Sequence, residues 1–347
     1  MSAFHYPTHR IPAVAEGLES NSVGAVIDIG SNSVKLLVGQ VTGNSVERIY
    51  SIGQAVRLGH GTFQTRWLRP DVIERVAETV AEFADSARNF SPCVFRILAT
   101  SAVREAINRL DLVRAVETRA HERVEILSGK EEAQLLFEGV RREPGLGASP
   151  LMVVDLGGGS TQVVISERGT GALYYSFPFG SLRLLETLGL SNPLSRNDLA
   201  KCRASAANFV VHQIIPAIGQ TRFEGGPFNA MRLVGTGKKL RVLAQAASSG
   251  KILGPSEGVV SLTLKRLTAA IEGLWEMTRS QRAAILAISD EDADVILTAA
   301  VTLEAILQRF GFEVLHASPS SVRQGAILKS FSDRQRAPSR GIGATRV

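Results

Sequence analysis

The chain has 347 residues, of which 44% are hydrophobic and 21% charged, a composition typical of a soluble globular protein with room for two domains. Two distant cysteines, Cys93 and Cys202, and scattered histidines argue against a disulfide framework and against a zinc site. The formal charge of +6 is compatible with a polyanionic partner. Aromatic residues, on which nucleic-acid bases could stack, make up only 6% of the chain, so we expect no specific nucleic-acid binding.

The first residues contain no continuous apolar run, so the sequence predicts neither a signal peptide nor a membrane span. We therefore expect residues 1–21 to be flexible and the protein to be cytoplasmic. The basic segment 333–347, rich in glycine, proline and serine, is predicted to be a disordered tail.

The first structured segment, from Ala25 to Val41, reads as strand, turn and strand. Asp28 ends the first strand, and Gly30 opens a turn whose polar residues are Ser31, Asn32 and Ser33. A glycine turn carrying amides and hydroxyls binds oxyanions, although a single one is more often an ordinary tight turn.

Four elements are predicted next. They are a strand over Val46–Gly53, a helix over Pro70–Asn89, a strand over Val94–Ala99 and a helix over residues 100–109. The last helix places Arg104 one turn from its start, which makes this strand-to-helix junction a candidate anion site. The alternative is a capped helix with a surface arginine.

A further strand over Val124–Leu127 leads into a predicted helix. Ser128 and Glu131 have the spacing of a capping box, so Glu131 is expected to be structural. Glu132 is the spare carboxylate, able to project into a cleft. On the residues alone, a solvated glutamate is the competing interpretation.

The segment Leu151–Ser166 repeats the pattern of the first hairpin. Asp155 ends a strand, a glycine turn follows, and the two aspartates stand 127 residues apart. A matched pair of such turns can hold one phosphate chain from two sides. The predicted phosphate contacts of the second turn are Gly157, Gly158, Gly159, Ser160 and Thr161.

The linker over residues 142–150 marks a predicted boundary between lobes 22–145 and 146–332. In the second lobe, a strand at Arg232–Val234 precedes a further candidate oxyanion pocket formed by Gly235, Thr236, Gly237 and Lys238. Helices are predicted over Gly258–Met277 and Ala293–Phe310, then a strand over Glu313–His316 and a last helix. The alternation indicates an α/β fold of two similar lobes with a cleft between them.

Four motifs in order resemble the Ppx/GppA family of exopolyphosphatases and guanosine pentaphosphate phosphohydrolases. They are Asp28–Ser33, Thr100–Arg104, Ser128–Ala133 and Asp155–Thr161. The resemblance extends from about Ala25 to Ser330. It implies a duplicated actin-like fold of the ribonuclease-H type. Sugar kinases and Hsp70 share this fold, which is called the ASKHA fold. It implies a phosphate-binding cleft between the lobes.

The resemblance also implies roles for individual residues. Glu132 matches the general base that activates water, Asp28 and Asp155 match the aspartates that place Mg²⁺ or another divalent cation, and Arg104 matches an arginine facing the phosphate chain. The implied substrates are inorganic polyphosphate and guanosine pentaphosphate, and guanosine tetraphosphate is a further implied binding partner. Two-lobed relatives are often dimers, which leaves a homodimer open.

The sequence departs from the family pattern at several positions. Gln162 replaces a glutamate, Lys238 and Lys239 follow Gly237, Gln324 replaces a glutamate, and Asp292 stands where an arginine is usual. The first hypothesis is therefore a phosphohydrolase, and the second is a regulator that binds polyphosphate or an alarmone without hydrolysis. An actin-like ATPase or sugar kinase is the third.

Overall fold

The computed structural model describes residues 20–146, 149–167, 171–190, 194–219, 228, 231–249 and 258–336. Within these ranges the strands form two sheets of one topology, each beginning with an antiparallel hairpin. The predicted segment 1–21 lies almost wholly outside the described residues, apart from the start of a short 3₁₀ turn at Ser20–Ser22.

The described part of the first sheet has the strand order β3-β2-β1-β4-β5, with β1 antiparallel to β2 and parallel to β4. Its strands are β1 (Val23–Ile29), β2 (Ser33–Thr42), β3 (Ser45–Ala55), β4 (Val94–Ala99) and β5 (Val124–Ile126). The helices that accompany it are α1 (Thr62–Thr65), α2 (Pro70–Arg88), α3 (Ser101–Glu105), α4 (Arg109–Ala120) and α5 (Gly129–Val140).

The second sheet repeats this order and adds one edge strand. Its strands are β6 (Leu151–Leu156), β7 (Thr161–Ser166), β8 (Ala172–Phe177), β9 (Arg232–Thr236), β10 (Val260–Thr263) and β11 (Val314–Ser318). They follow the order β10-β11-β9-β6-β7-β8, so β6, β7, β8, β9 and β11 occupy the positions of β1 to β5.

The helices of the second half cover the outer face of the second sheet, except for the last. They are α6 (Ser181–Leu188), α7 (Arg196–Phe209), α8 (Ile215–Gly219), α9 (Lys238–Ser249), α10 (Leu264–Trp275), α11 (Arg279–Leu286), α12 (Asp290–Phe310) and α13 (Val322–Arg336). A π-helical turn, Val210–Ile214, joins α7 to α8.

The last helix, α13, lies with α5 between the two sheets. Side chains from both sheets meet these helices in one buried cluster, to which Val26 of the first sheet and Val153 of the second belong. The close approach of α13 to α5 depends on Gly325, because a Cβ there would lie 1.6 Å from the carbonyl oxygen of Leu135. The carboxyl ends of β1 and β6 contribute Asp28 and Asp155 to the lining of one cavity.

Two element predictions are wrong. Residues 260–263 form strand β10, with its β-branched valine and threonine, so the helix predicted from Gly258 begins only at Leu264. The helix predicted over 100–109 is two helices, because Asn108 between them exchanges side-chain hydrogen bonds with the backbone of Leu68. Helix α11 was not predicted at all.

At the carboxyl end, α13 continues to Arg336, so the first residues of the predicted disordered tail are helical. Residues 337–347 lie outside the described residues. In the part of the chain that the structure describes, no helix is both long and apolar enough to cross a membrane.

Candidate active site

A cavity of about 200 Å³ lies between the lobes, where the two hairpin turns meet. Most of the residues singled out from the sequence line it. They are Asp28, Gly30, Ser31, Asn32, Ser33, Glu132, Asp155, Gly157, Gly158, Gly159, Ser160, Thr236 and Gly237. Apolar side chains of α9 and α12, such as Leu243 and Ile296, form another part of its wall.

The first hairpin turn presents amides to the cavity and turns its carbonyls away. The Gly30 amide closes the turn on the Ser33 carbonyl at 3.1 Å. The carbonyls of Ser31 and Asn32 accept hydrogen bonds from the loop after β3, including a 2.7 Å bond from the Gly59 amide. Among the described residues, no acceptor bonds the amides of Ser31 and Asn32, so both are available to a ligand.

The second hairpin turn repeats this geometry. The Gly157 amide donates to the Ser160 carbonyl at 3.0 Å. Backbone amides at the amino end of α6 donate to the carbonyls of Gly157 and Gly158. The amides of Gly158 and Gly159 find no acceptor among the described residues. Two turns with unpaired amides therefore face one cavity, which is the arrangement that binds oxyanions.

The turns also touch each other. A Cβ on Gly158 would lie 3.2 Å from the Cβ of Ser31, and one on Gly159 would lie 2.5 Å from the hydroxyl of Ser101. A Cβ would therefore clash with the first lobe at Gly159, whereas at Gly158 it would make a tight contact.

Asp28 and Asp155 occupy equivalent strand ends on opposite sides of the cavity. The Asp28 Oδ1 atom is buried without a hydrogen-bond partner among the described residues, whereas Asp155 Oδ1 accepts from the Thr236 hydroxyl at 2.5 Å. Burial raises the pKa of both carboxyls, and for Asp155 the charge of Asp28 adds to the increase. Ionised, the two carboxylates would repel each other, so a bound cation would stabilise them.

The residues fit a hard divalent cation only when phosphate oxygens complete its shell. No group of three or more His, Cys, Asp or Glu side chains able to hold a metal ion occurs in the described ranges. Mg²⁺ is commonly held by one or two carboxylates together with substrate phosphates. The unpartnered oxygen of Asp28 and the remaining oxygen of Asp155 are the protein ligands that such a cation would use.

Glu132 lies in the first turn of α5 and is 7% exposed, so it is not the solvated glutamate that was the competing interpretation. Its neighbour Glu131 completes the predicted capping box with Ser128, which confirms its structural role. Burial raises the pKa of Glu132 to about 8; Arg104 opposes this increase, and the charges of Asp28 and Asp155 add to it. When it is ionised, a carboxylate with such a pKa is basic enough to accept a proton from water, and the ionised fraction increases as the pH rises toward 8.

Arg104 does not line the cavity, but it holds Glu132. Its Nη1 atom donates to Glu132 Oε2 at 3.1 Å and to the Leu127 carbonyl at 2.8 Å. No described protein group donates to Glu132 Oε1, so that oxygen is available to a water molecule.

Two other predicted contacts, Thr161 and Gly235, do not line the cavity. The hydroxyl of Thr161 donates to the Phe179 carbonyl, and Gly235 is buried inside β9. Lys238 is the first residue of α9, and its side chain is outside the described part of the structure.

Sequence reasoning passed over two lysines that line the cavity, Lys35 and Lys239. Lys35 stands in a strand whose neighbours are apolar, a signal that could have identified it. Burial lowers its pKa to about 8; the charges of Arg323 and Lys239 add to this decrease, and those of Asp28 and Asp292 oppose it. Lys239 was noted only as a departure from the family pattern.

Gln162, the other notable departure, does not line the cavity. It is fully buried, and its amide donates to the hydroxyls of Ser160 at 2.9 Å and Ser176 at 3.2 Å. Gln162 therefore supports the second turn from behind.

Arg183 of α6 ties the second turn to the first lobe. Its guanidinium bonds both carboxylate oxygens of Glu105, at 2.7 and 2.8 Å, while Nε donates to the Gly159 carbonyl at 3.0 Å. The same group lies over the ring of Phe63, 4.0 Å from its centre. These contacts hold the two lobes together beside the cavity.

Comparison with known proteins gives a consistent result. The model of the Ppx/GppA phosphatase family matches residues 37–333. Exopolyphosphatase 2 of Mycobacterium tuberculosis is 29% identical in an alignment of 324 positions that covers 88% of this chain and 97% of that relative.

Two crystal structures share the architecture. An exopolyphosphatase from Cytophaga hutchinsonii matches with a TM-score of 0.79 at 22% identity, covering 90% of this chain and 98% of that one. The Aquifex aeolicus member of the Ppx/GppA family matches with a TM-score of 0.71 at 22% identity, covering 91% and 99%. The predicted duplicated actin-like fold is thereby confirmed.

Proposed function

The chain belongs to the Ppx/GppA phosphatase family, and on this premise we propose that it hydrolyses the terminal phosphoanhydride bond of inorganic polyphosphate. The observation that carries the proposal is the pair of hairpin turns whose unpaired amides face one cavity that also contains the buried carboxyl of Glu132. Such a site can hold a phosphate chain and activate water beside it.

In the proposed reaction, Glu132 accepts a proton from a water molecule as the water oxygen attacks the terminal phosphorus. The bond between that phosphorus and the bridging oxygen breaks, releasing orthophosphate and a chain shorter by one unit. Arg104 holds Glu132 in place through Oε2, which leaves Oε1 to take the proton. A divalent cation on Asp28 and Asp155 would neutralise phosphate oxygens when bound.

The cavity favours polyphosphate over guanosine pentaphosphate. Its volume of about 200 Å³ is below the roughly 300–1,000 Å³ of pockets that enclose drug-sized ligands. Its described lining contains no aromatic side chain on which a guanine base could stack. The same argument weighs against an ATPase or a sugar kinase, because either must hold a nucleotide.

The binding-only alternative depends on the missing glutamate at position 162. Because Gln162 lies behind the second turn, its replacement of a glutamate removes no carboxylate from the cavity wall. Glu132, Asp28 and Asp155 all line the cavity, which supports hydrolysis over binding alone.

The test is phosphate release from long-chain polyphosphate with Mg²⁺, comparing the wild type with Glu132→Gln. We expect the variant to lose about 10²-fold or more of kcat, the range typical of a general base. Glu131→Gln is the matched control, since glutamine also closes a capping box and should leave the rate unchanged. Release that persists in Glu132→Gln would exclude Glu132 as the base.

Two results would change the assignment of function. Tight polyphosphate binding without release by the wild type would favour the binding-only regulator. Faster hydrolysis of guanosine pentaphosphate than of polyphosphate would reverse the proposed substrate preference.

We also retain three proposals from the sequence: lobes 22–145 and 146–332, a cytoplasmic location, and a homodimer. Helix α13 complicates the division into lobes, because it packs on β1 and β2 as well as on α5. Light scattering of the purified protein tests the dimer.

A further inference from the structure

Gln162 and Ser160 are two residues apart where the second turn enters β7, a spacing that directs their side chains to the same side of an extended chain. Gln162 is opposite Asp155 in the register of β6 and β7. Lys35 has the equivalent position in the first hairpin, opposite Asp28. Ser160 lines the cavity and Gln162 does not. Gln162 therefore reaches a bound ligand only through a neighbour such as Ser160.

The side-chain amide of Gln162 donates to two serine hydroxyls. Its Nε2 atom lies 2.9 Å from Ser160 Oγ and 3.2 Å from Ser176 Oγ. Its Oε1 atom is buried without a partner among the described residues. The reverse orientation would bury the NH₂ group, with its two hydrogens, where no described residue accepts them. Buried donors without a partner are rarer than carbonyls without one, so donation toward the serines is the favoured orientation.

This orientation determines where the hydrogen of the Ser160 hydroxyl points. A serine hydroxyl has one hydrogen and two lone pairs, and Ser160 uses a lone pair to accept from Gln162. Its hydrogen must therefore point away from that amide. No described residue accepts this hydrogen, and Ser160 is buried at the lining of the cavity. The hydrogen is thus available to a group that occupies the cavity.

We propose that Gln162 is a positioning residue for the phosphate site, which holds the Ser160 hydroxyl as a donor toward an oxygen of the bound phosphate chain. The inference rests on the proposed function, since it concerns the same site. The hydroxyl adds one donor to the unpaired amides of Gly158 and Gly159 in the same turn. A carboxylate at position 162 would have the opposite effect, because it would accept the hydrogen and withdraw this donor from the ligand.

The experiment is a double-mutant cycle in which tripolyphosphate is titrated into the full chain by calorimetry. For Gln162→Met we expect about fivefold loss of affinity, because the Ser160 hydroxyl remains but is no longer oriented. For Ser160→Ala we expect about tenfold loss, as for a lost hydrogen bond to a charged group. The double variant should lose no more than Ser160→Ala alone, because no hydroxyl is left to orient.

Ser176→Ala is the matched control. It removes the other hydrogen bond of the Gln162 amide, at a residue that does not line the cavity. We expect wild-type tripolyphosphate affinity for this variant, while denaturant unfolding records its loss of stability beside that of Gln162→Met. A loss of affinity in Ser176→Ala equal to that in Gln162→Met would assign Gln162 a structural role only.

Gln162→Glu provides a second test, because it reverses the hydrogen bond. The ionised carboxylate accepts the Ser160 hydrogen, so the loss of affinity relative to the wild type should grow as the pH rises from 6 to 9 and the buried carboxyl ionises. Adding Ser160→Ala should remove this growth. If the growth persists without the hydroxyl, the carboxylate repels the phosphate directly and the proposed role of Ser160 is wrong.

The outcomes separate this inference from the proposed function. Additive losses in the double variant, or wild-type affinity in Gln162→Met or Ser160→Ala, would overturn the inference even if the protein hydrolyses polyphosphate. Conversely, an inactive wild type whose variants show the non-additive losses would support the inference and refute hydrolysis.

Discussion

Lys239 and Asp292 form an ion pair at the wall of the cavity, with 2.6 Å between Nζ and Oδ1. The same carboxylate oxygen accepts a hydrogen bond of 2.8 Å from the side-chain amide of Asn32 in the first turn. Asp292 thus connects α12 and α9 of the second lobe to the first lobe. Its carboxylate also pairs with two donors, the ammonium of Lys239 and the side-chain amide of Asn32, that could otherwise bind a phosphate group.

Asp292→Asn should therefore strengthen phosphate binding. The substitution removes a negative charge from the cavity and frees Lys239, so we expect the Kd for tripolyphosphate to fall several-fold. Lys239→Met should act in the opposite direction. Calorimetry on both variants tests this, and weaker binding by Asp292→Asn would show instead that the carboxylate is needed to hold the lysine in position.

The activity should increase with pH. Glu132 works as a base only when it is deprotonated, and burial raises its pKa to about 8. The kcat/KM for polyphosphate should therefore rise as the pH increases from 6 to 9, with its midpoint near the pKa of the free enzyme. The residual activity of Glu132→Gln should not follow this curve, and an unchanged profile in that variant would assign the titration to another group.

Gln162→Glu should not increase activity, and it should destabilise the protein. Position 162 is fully buried behind the second turn, so a carboxylate there is desolvated and reaches no cavity surface. Its folded-state pKa would lie above the unfolded value, so the stability present at low pH is lost as pH rises through that pKa.

We expect a loss of about 1–3 kcal/mol at pH 8 and a smaller loss at pH 5, measured by denaturant unfolding. Gln40→Glu is the control, because Gln40 also donates to a serine hydroxyl but is half-buried on β2. A clear gain of phosphate release in Gln162→Glu would revive the view that the missing glutamate limits catalysis.

Arg183→Lys should loosen the second turn. Lysine cannot bond Glu105 in two places, reach the Gly159 carbonyl and cover Phe63 at the same time. We expect a stability loss of about 1–2 kcal/mol and a KM for polyphosphate raised several-fold. Arg196→Lys, in an exposed ion pair with Glu276, should change neither quantity.

Local patterns made much of the fold predictable. The hairpins, the boundaries of β4, the start of α2 and the capping box at Ser128 follow from hydrophobic periodicity and turn residues within a few positions. Predictions from neighbouring residues failed where a contact between residues distant in the sequence determined the local structure. One example is Asn108, which binds the backbone of Leu68 and interrupts a predicted helix.

The sequence by itself therefore determined the two strand–turn–strand hairpins that begin the two sheets, because glycine turns and alternating strands depend on neighbouring residues. It also identified Glu132 as the carboxylate left over once Glu131 had capped α5. Tertiary structure alone decided which side chains face the cavity. Packing of the other elements leaves Lys35 open to the cavity, whereas Gln162, at the equivalent position of the second hairpin, is buried. The same packing brings Lys239 into contact with Asp292, which lies 53 residues further along the chain.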